Sequence, residues 1–368
     1  MKIALIKLGS RISCSSQGTS GGTGEALAII KLLYIAGANI DVYTKVLDGD
    51  EKPDYFSIYN IEDEYKNINN RNYDCLLIMN GSVNYFGGVD NPSQTLNYYI
   101  INNFTGRVYY IMCDCNLLLK QLWPIIENKS WSSNYNKEDI YIKRDDIVYI
   151  SQARYVDKVL EKARAQDIHI KDVIYYPLEK FPFITMDYLP FNSNPSYDIL
   201  YGGTFRNGRR EDDLIKFYFG YSKEKVALFG KIELDNFNQK KIASLTKPDF
   251  EKSVSYDKFA NKMLEAKSTI IIGDKLYKQW GDLAQRIYES ILVGNVVFID
   301  SSYDFSKRVF KNEELRQFNY VSNRDEVKYK LKKLDDSDFR KHIVDLQKKD
   351  TYINKIDYCK DFLKLFEV

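Results

Sequence analysis

Histidine and cysteine are scarce in this 368-residue chain, which has two of the first and five of the second. Both histidines, His169 and His342, lie in lysine-rich polar stretches. Histidine-driven acid–base or metal chemistry is therefore not expected, and a carboxylate is the expected base if the chain is an enzyme. Cys14, Cys75, Cys113, Cys115 and Cys359 are odd in number and form no CxxC pair. That argues for idle thiols in a reducing compartment, with no disulfide frame and no zinc site. No run of about 18 apolar residues occurs, and the apolar start MKIALIKLG is too short for a secretory signal. The expectation is a soluble protein that stays inside the cell, with no membrane partner. A large net charge is lacking too: the formal value of +2 excludes a basic tail protein and an acidic disordered one. What remains is 44% hydrophobic and 14% aromatic, an ordinary globule long enough for two domains.

Along the chain, short β-rich runs alternate with helical spacing. Strands are expected over 2–7, 39–43, 74–79, 107–112, 147–151 and 172–175, with helices over 25–36 and 155–165. Strand, helix, strand in succession implies a parallel sheet covered on both faces. Pro177, Pro182, Pro190 and Pro195, half of the eight prolines, then fall close together. Such a segment is expected to hold neither helix nor inner strand, so an interdomain linker is placed at 181–195. The alternation resumes with strands over 197–201, 226–229, 269–272 and 296–299, and helices near 210–218, 256–266 and 282–292. The polar tail reads as helices over 324–334 and 337–366. The expected architecture is α/β: a first Rossmann-like domain at 1–180, a second at 196–350, and a helix at 352–368 that packs back on the first. Two such halves facing each other across a cleft are the arrangement of GT-B glycosyltransferases, although a fold alone names no reaction.

The sharpest local signal is the run from Tyr201 to Glu211, YGGTFRNGRRE. An apolar strand enters a Gly-Gly turn, and three arginines stand before a helix. Cations at a helix N-terminus oppose its dipole, so an anion is expected there. Glycine lets backbone N–H groups approach phosphate oxygens, and Arg206 and Arg210 can fork onto them. The competing reading is exposed arginines paired with Glu211, Asp212 and Asp213. Further on, Asp274 and Tyr277 precede Arg286 and Glu289, which share one helical face. There the arginine suits a phosphate oxygen and the carboxylate a ribose, or the two simply pair with each other. Both segments follow the carboxyl ends of strands, where open α/β sheets bind ligands. In the first half, Asp114 follows the strand at 107–112 and is placed either to take a proton or to cap a helix. The loop Gly18–Gly24 leads into Glu25 at a helix start; it lacks the GK[ST] ending of a Walker motif and reads as a flexible segment presenting Glu25 to a polar ligand, or as a plain linker and helix cap. Asn84 and Phe86 lie on a Gly-bounded tip that is either a wedge replacing an extruded base or a tucked-in turn. Asp48-Gly49-Asp50 reads as a solvated turn.

With these segments in view, the chain resembles the DNA β-glucosyltransferase family of T-even bacteriophages. The resemblance runs collinearly from Met1 to about Val327 through MKIALIKLG, MNGSVNYFGG, VYYIMCD, LWPIIENKSW, YISQA, YYPLE, YGGTFRNGRRE, IIIGDKLY and RIYE. It implies the GT-B fold and transfer of glucose from UDP-glucose to 5-hydroxymethylcytosine in double-stranded phage DNA, with inversion and base flipping. It further implies Asp114 as general base, with Glu25 as an acidic residue near the sugar. Donor contacts by Gly203, Thr204, Arg206, Arg210, Phe229, Val254, Asp274, Tyr277, Arg286 and Glu289 follow by the same likeness. Asn84, Phe86 and Lys129 fall at DNA-contacting positions, Lys129 where the family carries an arginine. The resemblance allows Mg2+ beside the diphosphate without a protein metal cage, and implies a monomer in the cytoplasm of the infected host. Two alternatives stay open: a related phage enzyme using another UDP-sugar, such as a pentose, or another modified base, and a GT-B enzyme acting on a surface glycan. A non-catalytic nucleotide- or DNA-binding module is a third.

Overall fold

The computed structural model describes residues 1–7, 21–44, 54–79, 100–112, 144–165, 171–205, 210–254, 256–273 and 275–367. Its strands are β1 (Lys2–Ile6), β2 (Asn39–Thr44), β3 (Ser57–Asn60), β4 (Cys75–Met79), β5 (Arg107–Met112), β6 (Val148–Ser151), β7 (Asp172–Tyr175), β8 (Tyr197–Thr204), β9 (Val226–Lys231), β10 (Asp249–Glu251), β11 (Ala266–Ile271), β12 (Val296–Asp300) and β13 (Tyr320–Val321). The principal helices are α1 (Gly21–Ile35), α2 (Val156–Ala165), α3 (Glu211–Tyr218), α4 (Tyr256–Met263), α5 (Lys275–Trp280), α6 (Arg286–Leu292), α7 (Arg324–Leu334), α8 (Ser337–Asp350) and α9 (Lys355–Lys364). The chain divides into two compact units, Met1–Thr185 with Asn354–Val368, and Met186–Ile353.

In the first unit a parallel sheet runs in the order β3-β2-β1-β4-β5-β6-β7. Its middle is apolar throughout: every residue of CLLIM in β4 is buried. That is what a parallel strand covered on both faces requires. Helix α9 returns to this unit through aromatic and hydrogen-bonded contacts. The Tyr176 hydroxyl donates to the Tyr358 carbonyl at 2.6 Å, and the Tyr358 hydroxyl to the Pro177 carbonyl at 2.9 Å. Phe362, fully buried, packs its ring 4.9 Å from that of Tyr176. Burying one such side chain contributes roughly 1.5–3 kcal/mol.

The second unit carries the parallel order β10-β9-β8-β11-β12-β13. This is the doubly wound pattern, in which the chain steps outward one way from β8, returns, and steps the other way from β11. Helix α8 is locked onto β12 by one buried amide. Gln347 accepts from the Val297 N–H at 2.9 Å and from Asn319 Nδ2 at 2.6 Å, and donates to the Asn295 carbonyl at 2.9 Å. No helix among the described residues is long and apolar enough to cross a membrane.

Several expectations need correction. The proline-rich segment does form helix: Pro182 opens a short turn, Pro182–Thr185, at a first position where its missing N–H costs nothing. The first helix starts earlier than the expected 25–36: α1 runs from Gly21, so Gly21–Gly24, read as loop, belong to it and Glu25 lies in its second turn. The tail helix breaks after Asp350, and Asn354 caps α9 by accepting from the backbone of Ile356 and Asp357. Strands β3, β10 and β13 were not expected from the sequence. All three lie at sheet edges, where a short strand with one solvated side needs no apolar run.

Candidate active site

The switch point of the second sheet lies between β8 and β11, and the residues that follow their carboxyl ends form the candidate site. Strand β8 ends in Gly202-Gly203-Thr204, with Thr204 exposed. Tyr201 and Gly203 lie two apart and so share one face of the strand. A Cβ on Gly203 would lie 2.8 Å from both Cε1 and Oη of Tyr201, so only glycine lets this ring lie back along the strand. The Tyr201 hydroxyl accepts a hydrogen bond from Arg210 Nη1 at 3.0 Å. Arg210 is the N-cap residue of α3, and its guanidinium sits 5.9 Å from the Tyr277 ring, which α5 presents after β11. The acids of α3 have lysine partners: Lys241 Nζ lies 3.2 Å from Glu211 and 2.8 Å from Asp212, and Lys278 Nζ lies 4.0 Å from Asp213. Burial raises the Asp213 carboxyl above the usual carboxylate range, opposed by Lys278 and reinforced by Asp300.

Helix α6 begins over the same edge of the sheet because it feeds into β12. Arg286 and Glu289 do share a face and do pair, Nε to Oε2 at 3.3 Å. The pairing read as the bland alternative is thus present, and the Glu289 side chain is only 8% exposed. Arg286 keeps a further donor, since its Nη1 is buried without a hydrogen-bond partner. Phe229 is a core residue, clustered with Leu200, Ala227, Met263, Ala266 and Val293, and Val254 packs against that cluster.

The structure therefore brings Gly203 and Arg210 onto Tyr201, with Tyr277 beside Arg210, and brings Arg286 onto both Phe259 and Glu289. Arg206 and Asp274 lie outside the described residues, as do Asp114, Asn84, Phe86 and Lys129. Glu25 is half-buried in α1. Two residues were missed by sequence reasoning, Tyr201 and Phe259. The spacing of Tyr201 from Gly203 could have found the first; nothing local marks Phe259, 27 positions before Arg286. Among the described residues no three His, Cys, Asp or Glu side chains gather as a metal would require.

A family model described as bacteriophage T4 beta-glucosyltransferase matches residues 1–182. The DNA beta-glucosyltransferase of Enterobacteria phage T4 is 26% identical over 356 residues, covering 94% of this chain and 93% of that protein. The solved structure of T4 phage BGT in complex with UDP and Mn2+ matches with a TM-score of 0.81 at 24% identity, covering 100% of both chains. WaaG, a glycosyltransferase involved in lipopolysaccharide biosynthesis, matches with a TM-score of 0.52 at 11% identity over 99% of each chain. The fold is thus the α/β, GT-B type with two Rossmann-like sheets. By the family model over residues 1–182 and the collinear identity along nearly its whole length, the chain is similar to the bacteriophage T4 beta-glucosyltransferase family.

Proposed function

We propose that this protein transfers glucose from UDP-glucose to DNA, and that its acceptor is the hydroxymethyl group of 5-hydroxymethylcytosine in double-stranded phage DNA. The observation that carries the donor half is two pairs, Arg210 with Tyr277 and Arg286 with Glu289, on segments that follow the carboxyl ends of β8 and β11. The similarity supports the rest: the T4 relative is named a DNA beta-glucosyltransferase, and a solved T4 structure is described in complex with its UDP-glucose substrate. In this reading the hydroxymethyl oxygen of a flipped base attacks the anomeric carbon in one displacement, inverting it. The C–O bond to the β-phosphate breaks, the hydroxyl proton passes to the Asp114 carboxylate, and UDP leaves with the charge. Arg206, Arg210 and Arg286 stabilise that developing charge, with Thr204 and Gly203 beside the diphosphate. Preorganised donors of this kind are worth about 10²–10³ in rate each. Glu289 holds the ribose, Glu25 lies near the sugar, Asp274 and Tyr277 line the pocket, and Asn84, Phe86 and Lys129 meet the DNA.

Mg2+ enters the proposal as a companion of the diphosphate, and no step is routed through it. The enzyme acts as a monomer in the cytoplasm of the infected host. The test is incubation with UDP-glucose and other UDP-sugars, and duplex DNA containing cytosine, 5-hydroxymethylcytosine or hydroxymethyluracil, read by mass spectrometry of the nucleosides. Glucosylated hydroxymethylcytosine alone is the expected product. Transfer to no DNA, or to a surface glycan only, would overturn the reading. Asp114→Asn should keep UDP affinity and lose turnover; full turnover in that variant would remove Asp114 as the base.

A further inference from the structure

Arg286 is held by a ring that no sequence motif singles out. Its guanidinium carbon lies 3.8 Å from the centroid of the Phe259 ring, in contact with the aromatic face. Its Nε is drawn to Glu289 at 3.3 Å, while Nη1 is buried and has no hydrogen-bond partner. Phe259, half-buried on α4, stacks in turn against Phe229 with centroids 5.5 Å apart and planes inclined by 34°. Both rings close over Gly202, where a Cβ would come within 2.5 Å of Phe229 Cζ and 2.8 Å of Phe259 Cε2. Gly202 and Phe229 are register partners across β8 and β9. A missing side chain thus admits a ring pair, and the ring pair carries a guanidinium. A plane beneath and a carboxylate at one edge leave that guanidinium little rotational freedom. A buried donor without a partner asks for an explanation, and an anion still to be bound supplies one.

We propose that Phe259 is a positioning residue: it fixes the plane of Arg286 so that Nη1 is presented to a phosphate of the nucleotide donor, with Gly202 providing the space that lets it do so. The proposal rests on the donor reading above. Its test is titration calorimetry of UDP and of uridine against the full chain and its Phe259→Leu, Phe259→Tyr, Gly202→Ala and Arg286→Ala variants, and the Phe259→Leu/Arg286→Ala pair. Phe259→Leu should weaken UDP about 5–30-fold, the range a partly desolvated cation–π contact supports, and weaken uridine less than about twofold. Phe259→Tyr, which keeps the aromatic face, should restore UDP affinity, and Gly202→Ala should act like Phe259→Leu. In the Arg286→Ala background Phe259→Leu should add nothing, because the partner it positions is gone. Equal losses in both backgrounds, or equal losses for uridine and UDP, would mean a packing role and overturn the proposal. Unchanged UDP affinity in Phe259→Leu beside a loss in Arg286→Ala would overturn it while leaving the donor reading intact. A wild-type protein that binds no UDP would overturn both. Should Gly202→Ala fail to fold, the Phe259 variants decide alone.

Discussion

Adding one methyl group at Gly203 should disarm Arg210 without touching it. The new Cβ would stand 2.8 Å from Cε1 and Oη of Tyr201 and 2.9 Å from Cζ, closer than real Cβ atoms approach. The ring must move, and it has little room, because Tyr201 is buried and packs edge-on against Tyr218 with centroids 5.2 Å apart. Moving it breaks the 3.0 Å hydrogen bond from Arg210. A hydrogen bond to a charged group is worth about 1.5–3 kcal/mol, which sets a ceiling of about 10–150-fold on the loss of affinity for an anion that Arg210 grips. Tyr201→Phe separates the two effects: it deletes the hydroxyl, keeps the ring, and should reproduce most of the loss without the steric strain. The assay is UDP binding by calorimetry, paired with thermal unfolding to show that each variant is folded. Wild-type UDP affinity in a folded Gly203→Ala protein and in Tyr201→Phe would refute the argument that Tyr201 orients Arg210.

Two further predictions concern the frame around the site. Arg144 donates to the carbonyls of Ile101 and Gly106 and pairs with Asp146 at 2.6 Å, stapling the turn that leads into β5, so Arg144→Ala should lower the denaturation midpoint of the first unit. The Arg144 hydrogen bond holds Asp146 below its usual range, so this contribution is present above the ordinary carboxylate pKa and fades as pH falls through the lowered value. A midpoint equally insensitive to acid in wild type and variant would count against it. Asp213 has the opposite sign: its raised pKa gives stability that is complete below the ordinary carboxylate range and declines as pH rises through the raised value. Asp213→Asn should therefore gain stability relative to wild type at pH 7 and not at pH 3, and a loss at pH 7 in urea unfolding would contradict this.

Much of the fold was legible because parallel strands buried on both faces must be apolar along their length, as IALI in β1 and VVFI in β12 are. The edge strands carry no such demand, and SIYN, DFE and YV passed unread. The arginines of the site were visible too, since cations before a helix start and an Arg–Glu pair one turn apart are local patterns. What aims them was not. Tyr201 reaches Arg210 only because the strand face at position 203 is empty, and Phe259 reaches Arg286 only because β8, β9 and α4 converge over Gly202. Residue type and spacing along the chain thus determined where strands lie and which charges are available. How each charge is aimed was decided by packing between segments far apart in sequence, because a ring's position depends on every surface it touches and the chain order records only its neighbours.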